Sequence, residues 1–370
     1  MPSGLSSGLP SGLSSGLPSG LYVHVPFCPR KCPYCDFYSI SALDLIPAWL
    51  DSLAKEAKAS AIGWPDGFDT LYIGGGSPSV LTAMELKDLF KALSPLGLVA
   101  PIELTIEANP QDVSPDKVSL WADVGLNRVS LGIQSFDPRW LNASLERVHT
   151  LGDNLAAIEA IEKGGLKLSI DLIYAHPGQE PEEIVGDLDR AANSGAEHIS
   201  AYVLTPAPGT PLGQAVSAGR LRLPSERLVS EMFLLTGQAL AIRGFEWYEV
   251  SNFARGGAVC QHNLKYWQRK PYLGLGPAAH SFDGRSRWSN ISSVRRYISR
   301  INAGLKAYDM VEELSDAQAR LEKIMLSLRL SQGLDADLIK PSSALEGFLR
   351  DGHLILENGF LKPTPKGLLI

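Results

Sequence analysis

The sequence predicts an α/β protein built from parallel βαβ units. After residue 20, short apolar segments alternate with amphipathic segments along the chain. Six apolar segments are each followed by an amphipathic one, which is the pattern of parallel strands joined by helices. The apolar segments are continuous runs, as expected for a parallel sheet that is buried on both faces. This pattern alone is compatible with an open, doubly wound sheet or with a barrel.

The predicted elements follow one another in a regular order. Strands are predicted at 21–25, 70–74, 102–107, 128–133, 168–173 and 198–204. Helices are predicted at 44–62, 82–93, 115–124, 152–163, 181–194 and 225–243. From about residue 215 the pattern changes, and the further predictions are a strand at 245–250, an amphipathic helix at 315–332, and a helix with a short hairpin at 354–370.

Composition places the chain among ordinary globular proteins with one large and one small domain. Its 370 residues are 45% apolar and 20% charged, with a formal net charge of −6. The acidity argues against a nucleic-acid partner, because nucleic-acid-binding proteins usually carry basic patches. The sequence has no apolar run of the roughly 18 residues that a transmembrane helix requires.

The first 20 residues form a low-complexity segment. Residues 2–21 repeat Pro, Ser, Gly and Leu, and they lack both the positive region and the continuous apolar region of a secretory signal. Such a composition cannot bury enough apolar surface to fold. We therefore expect residues 1–20 to be a disordered tail without function, or the product of a wrongly assigned start site.

The cysteines are concentrated in one loop. Cys28, Cys32 and Cys35 lie within eight residues in the pattern C-x3-C-x2-C, directly after the first predicted strand. Three thiolates can hold three irons of a [4Fe–4S] cluster and leave the fourth iron open. The alternatives are a zinc site or a redox thiol pair, but zinc prefers four ligands and only the distant Cys260 remains. Clustered free thiols argue against a disulfide framework and predict a cytoplasmic protein.

Polar or glycine-rich segments follow the next strands. The glycines of Gly74–Pro78 permit a close backbone approach to a ligand, and their N–H groups suit a carboxylate or phosphate; a tight turn is the alternative. Glu107 ends the third strand and Gln134 the fourth, and Arg147 comes next. Asp171 lies inside the fifth strand, where a carboxylate is costly unless it is paired or used. In barrels, functional residues collect at these strand ends.

A segment rich in histidine and aromatic residues spans 260–282. It contains His262 and Tyr266 near several glycines, a combination that suits a flat, apolar cofactor such as heme. Heme iron takes His, Cys or Tyr as axial ligands. The alternative is a buried aromatic cluster around a hydrogen-bonded histidine, and Cys260 is better explained as an inert thiol than as a heme ligand.

The cysteine loop, with Tyr34 as the aromatic residue before Cys35, resembles that of the radical S-adenosylmethionine (SAM) superfamily. Its flanks resemble the oxygen-independent coproporphyrinogen III oxidase group, and the HNxxYW motif that begins at His262 resembles the heme chaperones of that group. The resemblance runs from about Leu21 to the C-terminus. It implies a partial (β/α)6 radical-SAM barrel at 21–215, a connecting region at 216–305, and a C-terminal, mainly helical, winged-helix-like domain at 306–370.

The resemblance also implies cofactors and their contacts. These are a [4Fe–4S] cluster on the three cysteines, SAM, and heme near His262 and Tyr266. The other positions implied to bind cofactor are Tyr22, Tyr34, Gly75, Gly76, Ser77, Glu107, Gln134, Arg147 and Asp171. Ser77 stands where the family's GGGTP motif has Thr. Ala175-His176 replaces the family's Gly-Leu, and we expect His176 to face solvent.

Two functions compete within this resemblance. One is a heme chaperone that transfers heme to an acceptor protein; the other is an enzyme that oxidatively decarboxylates coproporphyrinogen III. The oxidases of the group carry a further Cys two residues after the third, where this chain has Phe37. The chaperone is therefore favoured, and enzymatic activity stays open, as does a homodimer. A structural iron–sulfur protein without SAM is disfavoured by Gly74–Pro78 and Glu107.

Overall fold

The computed structural model describes residues 18–370, except for the side chain of Ala143. The predicted tail lies outside the described residues as far as residue 17. Its last two residues, Ser19 and Gly20, already belong to the first strand. Within residues 18–370, no helix combines the length and the apolarity needed to cross a membrane.

All six predicted strand–helix units are confirmed. Their strands are β1 (Ser19–Val25), β2 (Phe68–Gly75), β3 (Leu98–Ala108), β4 (Arg128–Gln134), β5 (Lys167–Tyr174) and β6 (His198–Val203). Their helices are α1 (Ile46–Ser60), α2 (Ala83–Leu93), α3 (Pro115–Asp123), α4 (Leu151–Lys163), α5 (Pro181–Asn193) and, after the unpredicted α6 (Pro211–Ser217), α7 (Glu226–Ile242). A π-helical segment at Arg139–Ser144 was not predicted either.

The rest of the chain is built from shorter elements. They are β7 (Glu246–Glu249), β8 (Asn252–Ala254), α8 (Gln261–Trp267), β9 (Tyr272–Leu275), β10 (His280–Phe282), β11 (Ser286–Ser289), α9 (Val294–Asn302), β12 (Glu312–Glu313), α10 (Asp316–Ser327), β13 (Leu334–Asp335), α11 (Ser343–Arg350), β14 (Leu354–Glu357) and β15 (Phe360–Pro363). The predicted C-terminal hairpin is confirmed as β14 and β15. The helix predicted beside it is only a 3-10 turn at Gly367–Leu369.

The described chain divides into two compact units, each discontinuous in sequence. Unit 1 comprises the described residues 18–29, Tyr38–Thr105 and Gln261–Ala319. Unit 2 comprises Arg30–Phe37, Ile106–Cys260 and Arg320–Ile370. These units do not follow the predicted boundaries at 215 and 305, because the chain returns to unit 1 at Gln261.

The sheet of unit 1 is parallel at its centre. β1 pairs in parallel with β2 on one side and with β9 on the other, and β10, β11 and β12 follow in antiparallel order. β1 and β2 are buried on both faces, but they are not the continuous apolar runs that we predicted. One face carries residues such as Leu21 and Ile73, and the other carries Tyr22, Thr70 and Tyr72.

The sheet of unit 2 shows the same division of faces. β4, β5 and β6 are parallel, and the antiparallel β8 and β7 extend the sheet. Val129, Leu131 and Ile170 lie on the apolar face, whereas Ser130 and Asp171 lie on the polar one. At the C-terminus, β13, β15 and β14 form a separate antiparallel sheet. Along the chain, α10 precedes β13, and α11 lies between β13 and β14.

The loop after β2 stays paired with the chain that follows β1. The N–H of Gly76 donates to the carbonyl oxygen of Val25 at 2.8 Å, and the N–H of Ser77 donates to that of Phe27 at 2.8 Å. A Cβ atom on residue 76 would lie 2.5 Å from the oxygen of Phe27. Only glycine fits this approach, because the obstacle is backbone that cannot rotate away.

We expect Gly76→Ala to lower the free energy of unfolding by about 1–3 kcal/mol, since the added methyl must displace backbone. Urea unfolding of the full chain measures it. The matched control is Gly186→Ala in α5, where a Cβ atom meets nothing within 4 Å; it should leave stability unchanged or raise it by up to about 1 kcal/mol. Equal effects of the two changes would contradict the close approach.

Candidate functional site

Unit 1 holds the first cysteine at the end of β1. The half-buried Cys28 accepts a hydrogen bond from the hydroxyl of Ser77, with Oγ 3.4 Å from Sγ. Its N–H donates to the carbonyl of Ile40 at 3.0 Å, and the N–H of Ile40 donates to that of Pro26 at 2.8 Å. The loop therefore leaves β1 along a fixed path, and the hydroxyl of Ser77 is directed at the sulfur of Cys28.

Unit 2 holds the other two cysteines, and a half-buried arginine contacts one of them. Nη1 of Arg147 lies 3.3 Å from Sγ of Cys32 and 3.4 Å from the hydroxyl oxygen of Tyr34. Nη2 donates to Oδ1 of Asn109 at 2.5 Å and to the carbonyl of Gly132 at 3.3 Å. Arg147 therefore presents an N–H donor to the sulfur of Cys32, which is the atom that would bind metal.

Tyr34 anchors the cysteine loop to unit 2. Its ring packs against a small core formed by Leu145, Leu204 and Leu212. The N–H of Leu212, in the unpredicted α6, donates to the carbonyl of Pro33 at 3.0 Å. Burial raises the pKa of Tyr34, so its hydroxyl stays protonated at neutral pH.

The donor set of this loop fits an iron–sulfur cluster. None of the four cysteines takes part in a disulfide. The three loop cysteines are half-buried, whereas Cys260 is fully buried. Within the described residues, no three His, Cys, Asp or Glu side chains converge on one point as ligands of a single metal ion do. A cluster does not need such convergence, since each thiolate binds a different iron.

The glycine loop is held by the chain itself at two of its N–H groups. Those of Gly76 and Ser77 donate to carbonyl oxygens of the segment that leaves β1. Gly75 has a φ of 113°, and a Cβ there would lie 2.7 Å from the ring of His24. His24 is buried, which lowers its pKa; its Nε2–H donates to the carbonyl of Tyr38 at 2.8 Å. The glycine at position 75 is thus required by His24.

Tyr22 joins the same arrangement from β1. Its hydroxyl donates to Nδ1 of His24 at 3.0 Å. Its ring stacks on that of Tyr72, with 6.3 Å between the centroids. Tyr22 therefore lies beside the residue that packs on the glycine loop, on the polar face of β1.

The predicted SAM-contacting residues of unit 2 lie along β3, β4 and β5. Glu107 is half-buried near the end of β3. Gln134 ends β4 with a φ of 69°, and Ala175 follows β5 with a φ of 65°. Such backbone strain in residues other than glycine concentrates at functional sites. Asp171 accepts a hydrogen bond from Ser130 at 3.0 Å, and burial raises its pKa.

His176 is fully buried, so the prediction that it faces solvent is wrong. Its ring stacks on that of Trp140, with 5.3 Å between centroids and 2° between planes. Its Nε2–H donates to the carbonyl of Ile173 at 3.0 Å, and Nδ1 accepts from the hydroxyl of Ser144 at 3.0 Å. Trp140 and Ser144 belong to the π-helical segment, so this unpredicted element creates the pocket that encloses the histidine.

The HNxxYW motif forms α8, which is fixed to the sheet of unit 1. The carboxylate of Glu103 accepts the N–H groups of Gln261 at 2.9 Å and of His262 at 3.0 Å. The buried ring of His262 is bonded through Nδ1 to the hydroxyl of Thr70 at 2.9 Å and through Nε2 to that of Tyr266 at 2.7 Å. Both ring nitrogens are engaged, so an axial bond to heme iron would break one of these hydrogen bonds.

The point at which His262 contacts β2 bears on whether it can be a heme ligand. Thr70 precedes Gly75 by five residues in this strand, which is roughly 16 Å at about 3.3 Å per residue. His262 thus lies toward the N-terminal end of the strand, and the glycine loop lies at the C-terminal end. In barrel folds, the N-terminal end serves stability. The geometry favours the buried aromatic cluster over a heme ligand at His262.

Three residues that support the site were not singled out as functional from the sequence. They are His24, Asn109 and Glu103. Each is a polar residue in or next to an apolar strand, and His24 and Glu103 share the polar face of their strands. Treating those strands as alternating would have identified both residues.

Comparison with known proteins agrees with this geometry. Residues 22–191 match the family model described as the radical SAM superfamily. The structure resembles that of coproporphyrinogen III oxidase (HemN) from Escherichia coli, with a TM-score of 0.80, 23% identity, and coverage of 95% of this chain and 88% of that one. The fold and the cysteine loop thus define a protein of the radical SAM class.

Several relatives match most of the chain. The heme chaperone HemW of Mycobacterium tuberculosis is 36% identical over 94% of this chain and 92% of its own. The HemW proteins of Bacillus subtilis and Escherichia coli are 34% and 31% identical, over 85% and 90% of this chain and 84% and 90% of their own. The chain belongs to the HemW family of heme chaperones.

The enclosed His176 predicts a pH dependence of stability. Burial lowers its folded-state pKa to about 4, from 6.5. The stability that neutral His176 contributes is therefore present above about pH 6.5 and is lost as the pH falls toward 4. His176→Phe keeps the stack on Trp140 without a titrating group. Between about pH 7 and 4.5, we expect its unfolding free energy to fall by about 1–3 kcal/mol less than that of the wild type. The unfolding free energies are measured with urea at each pH. The same pH dependence for the variant and the wild type would show that His176 is not the group that titrates.

Proposed function

We propose that this chain is a heme chaperone that binds a [4Fe–4S] cluster and SAM and hands heme to an acceptor protein in the cytoplasm. The observation that carries the proposal is the identity of 31–36% with heme chaperones along nearly the whole chain. The free thiols of the cysteine loop support a reducing compartment.

The cysteine loop and its neighbours supply the proposed cluster site. Cys28, Cys32 and Cys35 would hold the cluster, which when bound supplies a one-electron centre with one iron open to SAM. Ser77 and Arg147 donate to two of the three sulfurs. Hydrogen bonds to sulfur help to set the potential of such a centre. The other residues proposed to surround SAM are Tyr22, Tyr34, Gly75, Gly76, Glu107, Gln134 and Asp171.

The second candidate function is coproporphyrinogen oxidation. The observation behind it is the structural likeness to the oxidase HemN. At 23% identity, this likeness concerns the fold alone. Phe37 opposes it, because this residue stands where the oxidases of the group carry a further cysteine. The Phe37 side chain is 67% exposed, two residues after Cys35.

The cluster proposal is tested with cysteine variants. After anaerobic reconstitution, Cys28→Ala, Cys32→Ala and Cys35→Ala should each lose the visible absorption and most of the iron. Cys260→Ala is the matched control and should keep both, because Cys260 is buried and its N–H donates to the hydroxyl of Tyr248 at 3.3 Å. Loss of iron from the control to the same degree would mean a closed site with four cysteine ligands.

The function itself is tested by two assays on one reconstituted preparation. We expect transfer of bound heme to an apo-heme protein, and no protoporphyrinogen from coproporphyrinogen III under strict anaerobiosis with SAM and reductant. The control is Phe37→Cys, which restores the cysteine spacing of the oxidases and shows whether that residue alone permits turnover. Catalytic turnover by the wild type would contradict the chaperone proposal.

A further inference from the structure

A cavity of about 490 Å³ lies within unit 1, between α1, the strands β9 and β11, and the segment that follows α9. Its volume lies in the range of small-molecule binding sites, roughly 300–1,000 Å³. None of the residues proposed above to bind the cluster or SAM lines it. Neither do His262 and Tyr266.

The walls of the cavity are aromatic. Trp64, Trp288 and Tyr308 line it, and the ring centroids of Trp288 and Tyr308 are 5.6 Å apart. The hydroxyl of Tyr308 is buried and has no hydrogen-bond partner in the described part of the chain. Aromatic walls with few polar groups suit a flat, largely apolar ligand.

Two exposed lysines add positive charge to this aromatic lining. Nζ of Lys55 donates to Oδ1 of Asn302 at 2.6 Å, and Nζ of Lys306 lies 5.3 Å from the centre of the Tyr308 ring. Both lysines line the cavity. Ammonium groups at these positions suit a ligand that carries carboxylates.

The one acidic residue of the described lining, Glu56, already accepts hydrogen bonds from within the protein. The carboxylate of Glu56 accepts hydrogen bonds from the N–H of Gly276 at 2.9 Å, from the side-chain amide of Asn290 at 2.6 Å and from the hydroxyl of Tyr297 at 2.6 Å. Glu56 is buried, and these donors enclose its carboxylate. The exposed ammonium groups of Lys55 and Lys306 are therefore the charges that the described lining presents to a ligand.

We propose that this cavity binds heme through its flat ring and its carboxylates. The proposal deepens the heme-chaperone function and rests on it. The described lining contains no His, Cys or Met, and Tyr308 is its one residue of a type that can ligate heme iron. The cavity would therefore hold heme chiefly through its ring and its carboxylates, as suits a cargo that must leave again. The engaged ring nitrogens of His262 agree with a heme site away from α8.

The test is a titration of the full chain with hemin and, separately, with iron-free protoporphyrin IX. Binding is measured by the quenching of tryptophan fluorescence. The double change Lys55→Gln and Lys306→Gln should weaken hemin binding about threefold to tenfold through lost carboxylate contacts. Ala59→Trp should weaken it at least about tenfold, because Ala59 lines the cavity and the indole would fill it.

Matched controls separate the cavity from general surface effects. Lys58→Gln changes an exposed lysine of α1 outside the cavity lining, and Ala156→Trp adds an indole to the exposed face of α4. Both controls should bind hemin within about twofold of the wild type, and protoporphyrin IX should bind within about threefold of hemin. Circular dichroism confirms that each variant is folded.

The outcomes distinguish the cavity from the function. A wild type that binds hemin while the cavity variants bind it equally well overturns the cavity and leaves the chaperone proposal standing. Protoporphyrin IX that binds about a hundredfold more weakly than hemin also overturns the cavity, since the iron would then dominate. A wild type that does not bind hemin at all overturns the chaperone proposal itself.

Discussion

The structure around the proposed cluster site depends on backbone pairing between the glycine loop after β2 and the chain that leaves β1. The two hydrogen bonds from Gly76 and Ser77 extend the pairing of the strands into the loops. They also place the hydroxyl of Ser77 next to Cys28. The absence of a side chain at residue 76 permits this approach. The glycines therefore position the cysteine loop directly, by letting the two backbone segments pair. We propose that they favour SAM binding indirectly, by fixing the position of that loop.

The regular alternation of strands and helices could be predicted because each element repeats a simple period over many residues. The partners on the polar faces of the strands could not be predicted, since the residues that bond Thr70 and Asp171 are distant in sequence. The burial of His176 was missed for a similar reason. It depends on Trp140 and Ser144 in a π-helical segment that has no sequence period of its own.

The two motifs that the sequence emphasised occupy opposite ends of β2. The glycine loop and Cys28 lie at its C-terminal end, whereas His262 is bonded at its N-terminal end to Thr70. The hydrogen bonds of His262 hold α8 on the sheet of unit 1, which gives the HNxxYW motif a structural task. We propose that heme binds instead in the cavity with aromatic walls and two lysines. On this account, radical-SAM cofactors and cargo occupy different places on the chain.

We propose that three cysteines hold a [4Fe–4S] cluster whose fourth iron is open to SAM. Mössbauer spectroscopy of protein reconstituted with ⁵⁷Fe, recorded with and without SAM, distinguishes an open fourth iron from a closed cluster. We expect about one iron in four to show changed parameters when SAM is added, and the other three to keep theirs. Four irons that are all unaffected by SAM would show a closed cluster and rule out the open site.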